Sequence, residues 1–193
     1  MSIIKDRSKP FTPAPAGLHR AVAVDVVDLG WELDDFNGKM LPKIRIAWEI
    51  EEEMAGGGRF VVMSRYNVPV SLKSKKSSLV KDLISWRGRA FTDEELKSFE
   101  LDNIIGAPCQ LSIIHNVKDD KTYANVDAIV PAHKDGKLIP SGKYKRAKDR
   151  DDWQAPKVSA FDEFPKDKTA EPAPTEGETV GRTIDDHNDP LPF

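Results

Sequence analysis

The chain is short of cysteine, aromatic residues and long apolar runs, and each shortage removes a class of function. A single cysteine among 193 residues, Cys109, excludes an intramolecular disulfide and any Cys-x-x-Cys metal site. It lies in the apolar run Cys109-Gln110-Leu111-Ser112-Ile113-Ile114, which reads as a buried structural thiol. Nothing approaches about 18 consecutive apolar residues, so no membrane-spanning helix is expected. Met1 to Pro10 carry no apolar leader core, and with the lone thiol this points to a cytoplasmic location. The histidines His19, His115, His133 and His187 are scattered, none paired at i, i+4, so no zinc ligand set is expected. No Gly-rich phosphate loop ending in Lys-Ser/Thr occurs, and Gly56-Gly57-Gly58 reads as a hairpin turn. The expectation is a non-enzyme that needs no cofactor and no metal.

Charge is unevenly spread. The whole chain carries −3, but Met1 to Arg150 hold 25 Lys and Arg against 21 Asp and Glu, a net +4. Asp151 to Phe193 hold 4 against 11, a net −7. A mildly basic body can attract a phosphate backbone, while an acidic tail repels it and competes for the same basic surface.

Periodicity divides the chain into four segments. Residues 1–16, with Pro10, Pro13 and Pro15, read as an extended arm. Residues 17–133 read as one β-rich domain. Strands are expected at Leu18–Leu33, with Gly30 at a bend, at Lys43–Glu52 and at Arg59–Val68. Ser77-Ser78 caps a helix with the stripe Leu79, Val80, Leu83, Ile84, Trp86, and Thr92-Asp93-Glu94-Glu95 starts a second. Strands resume at Gln110–Asn116 and Thr122–Val130. Three strands, a helical insert and two strands is the order of an OB-fold, a five-stranded Greek-key barrel. An immunoglobulin-like sandwich wants about seven strands and no helix. Residues 134–182 turn polar and Pro-rich and read as a disordered linker. Residues 183–193 form an acidic tip.

Binding is better supported than catalysis. Single-stranded nucleic acid is held by cationic grooves and by rings on which bases stack. Candidate cations are Arg45, Arg65, Lys73, Lys75, Lys76, Arg87 and Arg89, with Arg20 and Lys43 beside them. The Lys73–Lys76 and Arg87–Arg89 runs flank the first helix, where loops could grip a strand. Trp48 is in phase with Ile44, Ile46 and Ile50 and reads as core, and so does Trp86. Phe60 and Tyr66 share one phase of the third strand. They form either an exposed stacking platform or part of the barrel filling; Tyr123 is a further candidate ring.

The chain ends Thr183-Ile184-Asp185-Asp186-His187-Asn188-Asp189-Pro190-Leu191-Pro192-Phe193. A terminal Phe193 puts a ring and a free carboxylate on one residue, a compact ligand for an apolar pocket rimmed by Arg or Lys. Asp185, Asp186, Asp189, Pro190, Leu191, Pro192 and Phe193 are therefore the candidate protein-interaction residues. This end resembles the C-terminal tip of bacterial and phage single-stranded DNA-binding proteins, in which several Asp precede Ile-Pro-Phe. Here Leu191 stands for Ile, Pro190 is extra, and His187-Asn188 interrupt the acids. The body resembles phage- or prophage-encoded proteins of this kind in Ser78-Leu79-Val80-Lys81-Asp82-Leu83, Trp86-Arg87-Gly88-Arg89 and Tyr123-Ala124-Asn125-Val126. The resemblance implies an OB-fold, coating of single-stranded DNA in replication, recombination or repair, and recruitment of partner enzymes by the tip.

Rival readings are an interaction adaptor whose nucleic-acid contact is incidental, an accessory subunit of a nuclease or recombinase, and an RNA-binding barrel. The sequence is compatible with a homo-oligomer and does not choose the barrel face that meets DNA.

Overall fold

The computed structural model describes residues 12–34, 38–74, 76–134 and 136–163. The remaining segments, among them Lys75 and the acidic tip, lie outside the described residues.

The chain is mainly β. In chain order the elements are β1 (Gly17–Asp34), β2 (Lys39–Glu53), β3 (Arg59–Asn67), α1 (Ser78–Arg87), α2 (Asp93–Ser98), a 3-10 turn (Leu101–Ile104), β4 (Pro108–Lys118), β5 (Lys121–Pro131) and a second 3-10 turn (Ala147–Asp149). The strands form one antiparallel sheet in the order β3-β2-β1-β4-β5. β1 is the hub. It pairs with β2 from Ala21 to Asp34 and with β4 from Gly17 to Val22.

Two bulges let this strand bend. They fall between Ala23 and Asp25 and between Asp28 and Gly30. The first breaks the simple alternation expected of β1. Ala21 and Ala23 join the main core, with Val26 packed against it, while Val22 and Val24 belong to a second cluster on the opposite face. An extra residue in one strand flips the phase of everything after it.

The inner face follows β2. Ile44, Ile46, Trp48 and Ile50 are all essentially inaccessible, as their spacing dictates. Leu111, Ile113 and Ile129 meet them from β4 and β5. The edge strands β3 and β5 approach each other without ladder hydrogen bonds, and α1 packs against both. Its stripe of Leu79, Leu83 and Trp86 completes the core. Trp86 lies 6.0 Å from Trp48 and donates Nε1–H to the Pro108 carbonyl at 2.9 Å. Ser77 caps α1 and Gly88 ends it in the left-handed conformation (φ 71°). Thr92 and Glu95 form the expected capping box of α2. Cys109 is buried, and burial pushes its thiol above its ordinary pKa.

The described part of the expected linker differs most from expectation. Residues 138–163 form a strap that crosses the outer face of β1 and β2 at Leu138 and Tyr144 and ends at the main core, which Ala160 joins. Leu138 and Tyr144 pack on Val22, Val24 and Ala47, and Ala147 and Ala160 are buried. Three acids on β1 and β2 hold the strap. Asp25, 1% exposed, accepts from Tyr144 Oη at 3.2 Å, Arg146 Nε at 3.2 Å and the Ala147 amide at 2.7 Å. Glu49, 2% exposed, accepts from the Ser141 amide at 2.8 Å and its hydroxyl at 2.6 Å. Asp28 accepts from Ser159 Oγ at 2.5 Å and the Ala160 amide at 2.9 Å. A buried carboxylate without donors is costly, so the sheet and the strap depend on each other. The domain therefore runs past the expected boundary at 133.

Candidate nucleic-acid interface

Strand alternation also sets the outer face. With Ile44, Ile46 and Trp48 inside, β2 presents Lys43, Arg45, Ala47 and Glu49 outward. Across the β2–β3 ladder Glu49 faces Val61, Ala47 faces Met63, Arg45 faces Arg65 and Lys43 faces Asn67. The strap covers the Ala47–Glu49 end. The other end stays open and cationic.

At that end two arginines stand directly opposite each other. Like charges in this register destabilise a sheet. One carboxylate serves the group: Glu32 lies 3.7 Å from Lys43 Nζ and 3.5 Å from Arg65. Arg45 has no ion pair among the described residues, and its buried Nε has no acceptor. Two of the three cations share one acid and the third has none among the described residues, with the exposed Met63 beside them. The arrangement can bind an extended polyanion while offering apolar surface to bases.

The other sequence candidates lie elsewhere. Phe60 is half-buried and packs on the core. Tyr66 is buried and donates its hydroxyl to Asp82 Oδ2 at 2.9 Å. Burial raises the pKa of both the Tyr66 phenol and the Asp82 carboxyl. The phase shared by Phe60 and Tyr66 faces inward, which removes the exposed platform as an option. Tyr123 is 43% exposed on β5 and lines an open cleft of about 810 Å³ with His115, Lys121 and Pro13.

The cations around the helices are largely engaged. Arg89 meets both oxygens of Glu95, at 3.0 and 2.6 Å. Arg87 also donates to Glu95 and lies 4.2 Å over the Phe91 ring. Glu95 further accepts the Thr92 amide. Hydrogen bonding from Arg89, then from Thr92 and Arg87, holds its carboxyl well below the usual range. The Arg87–Arg89 run is thus a clasp between α1 and α2. Lys73 pairs with Asp93 at 2.6 Å, and Lys76 is exposed. Lys75 and the tip residues Asp185, Asp186, Asp189, Pro190, Leu191, Pro192 and Phe193 lie outside the described residues.

The described DNA-binding candidates therefore fall in four places, and the structure brings together Arg45 and Arg65, joined by Lys43. Sequence reasoning missed Met63 and every strap residue. The register that sets Arg45 against Arg65 was the signal to look for, and it depends on the lengths of the β2–β3 pairing and its irregular end near Glu53.

Among the described residues, no group of three or more His, Cys, Asp or Glu is placed to hold a metal ion. No helix of the described residues is long and apolar enough to cross a membrane. No protein-family model, no curated protein and no solved structure matches the chain.

Proposed function

We propose that the chain is a non-enzymatic, sequence-independent single-stranded DNA-binding protein acting in replication, recombination or repair, built on an OB-type barrel. The carrying observation is the facing pair Arg45 and Arg65, with Lys43 next in the row and Glu32, among the described residues, the one acid paired with Lys43 and Arg65. A sheet that sets like charges opposite each other departs from its own stability rules, and such departures mark functional positions. The strand order supports the barrel reading. β1 is shared by β2 and β4, and β3 and β5 approach each other, which leaves one seam to close. In OB-folds the face of strands 2 and 3 is where oligonucleotides lie.

The acidic tip ending in Phe193 recruits partner proteins in this reading, and the basic body holds the strand. Titration of labelled oligo-dT at two salt concentrations tests it. Binding should be micromolar or tighter and weaken with salt by a log–log slope of about −0.7 per phosphate contact. No binding at low salt contradicts it.

An interaction adaptor is the second reading. An apolar groove of about 550 Å³ between Val68, Leu72, Leu79 and Phe99 favours it. That groove has Glu100 and Asp102 at its edge, so it suits a neutral or basic peptide and not DNA.

A further inference from the structure

We propose that the strap holds one nucleotide of the bound single strand, with the base in a slot between Trp153 and Phe161 and the phosphate beside Lys148. The proposal rests on the single-strand reading above and extends the footprint from β2–β3 onto the strap.

The slot is a cavity of about 190 Å³ between β1, the strap and the first 3-10 turn. Val26, Val27 and Ala147 line it as apolar floor, and Trp153 and Phe161 stand at it. Pockets for drug-sized ligands run to about 300–1,000 Å³, so this one suits a single flat ring system. Both rings are open to solvent, Trp153 at 37% and Phe161 at 58%. Neither ring has an aromatic partner among the described residues, and exposed rings are what a base stacks upon.

Two acids and two cations also line the slot: Asp28 is engaged by the Ser159 hydroxyl and the Ala160 amide, and Asp102 lies 4.0 Å from Arg146, which leaves Lys148. Residues 143–150 carry Lys143, Lys145, Arg146, Lys148 and Arg150 against the single acid Asp149. Arg146 is already engaged, by Asp25 at 3.2 Å and Asp102 at 4.0 Å. Lys148 is exposed at the slot and has no ion pair among the described residues. It is the cation left to meet a phosphate.

The slot is also continuous with the β2–β3 row. Val27, in its floor, is the register partner of Arg45, and Arg45 is that of Arg65. Neighbours in such a ladder are about 5 Å apart. Arg150 lies 5.4 Å from the Tyr144 ring on the strap. Positive groups therefore lead from Arg65 through Arg45 toward the strap.

The test titrates oligo-dT into the full chain and into Trp153→Ala, Trp153→Phe and Lys148→Ala, each first matched to the parent in melting temperature. Trp153→Ala should weaken binding roughly 5- to 100-fold, the range of one lost stack. Trp153→Phe should retain most of the affinity but lose part of the tryptophan fluorescence quenching expected of the parent on binding. Lys148→Ala should flatten the salt slope by about 0.7. If the parent binds and Trp153→Ala and Lys148→Ala bind as tightly with unchanged slope and quenching, the strap subsite is wrong while the DNA reading survives. If the parent does not bind, both fall.

Discussion

Asp25 on β1 accepts the backbone amide of Ala147 at 2.7 Å, 122 residues further along the chain. That bond, with those at Glu49 and Asp28, turns a segment of linker-like composition into part of the domain. Each acid meets one strap amide and one strap hydroxyl, from Tyr144, Ser141 and Ser159. The same device at three places makes the strap's path specific without a large apolar contribution.

A chain ending at residue 163 should melt within a few degrees of the full chain. One ending at 133 leaves all three acids without their strap donors and should fail to fold cooperatively, or melt at least about 10 °C lower. Circular dichroism melts of the two truncations check this.

Asp25→Ala should cost about 3 kcal/mol, the scale of breaking a buried charged pair from one side. The variant strands Arg146 and the Ala147 amide together. Urea unfolding measures it, and a loss under about 1 kcal/mol would mean the strap is held mainly by its apolar contacts.

Gly30 is where the strap passes closest. Its φ is 72°, and a Cβ there would lie 2.6 Å from the Pro156 Cβ and 2.7 Å from the Val158 carbonyl oxygen. Gly30→Ala should lift this part of the strap, since both the backbone conformation and the space are denied. Faster tryptic cleavage at Lys157, with an unchanged β4–β5 hairpin, is the expected pattern.

The clasp at Glu95 should be acid-sensitive. Its carboxyl pKa is lowered from an ordinary 4.5, chiefly by Arg89. A depressed acid stabilises the fold above its unfolded pKa and loses that contribution as pH falls below about 4.5. Amide protection factors in α2, referred to the intrinsic exchange rate at each pH, should therefore fall below that pH, and Glu95→Gln should remove the dependence.

How far the sequence carried this reading differs by element. Alternation in β2 and the helix stripe from Leu79 to Trp86 gave the core, because each apolar residue there sits in a simple period. The capping residues Ser77, Thr92 and Glu95 were readable for the same reason: their function is local. Asp119 and Asp120, both at positive φ, make the tight β4–β5 turn between the two strands that alternation marked. The bulges in β1 were not legible, since one extra residue leaves no mark in composition. Phe60 and Tyr66 illustrate the limit of parity, which shows that two rings share a face but not which face is inside. The strap was hidden because Tyr144, Ser141 and Ser159 find their partners more than 90 residues away. Its polarity signalled disorder, yet the same polar groups are what the buried acids require.

Deleting Asp185 to Phe193 should leave oligo-dT affinity equal or higher, because a competing polyanion is removed. Capture of replication enzymes by the immobilised chain should fall. A collapse of DNA affinity would place the tip inside the binding body.

The facing guanidiniums give the most direct test. Oligo-dT affinity of the full chain and of an Arg45→Ala/Arg65→Ala variant, measured across a salt series, should differ at low salt and converge at high salt. The variant's log–log slope should be shallower by about 1.4, two phosphate contacts. A folded variant with the parent's affinity and slope would show that DNA does not lie on this face.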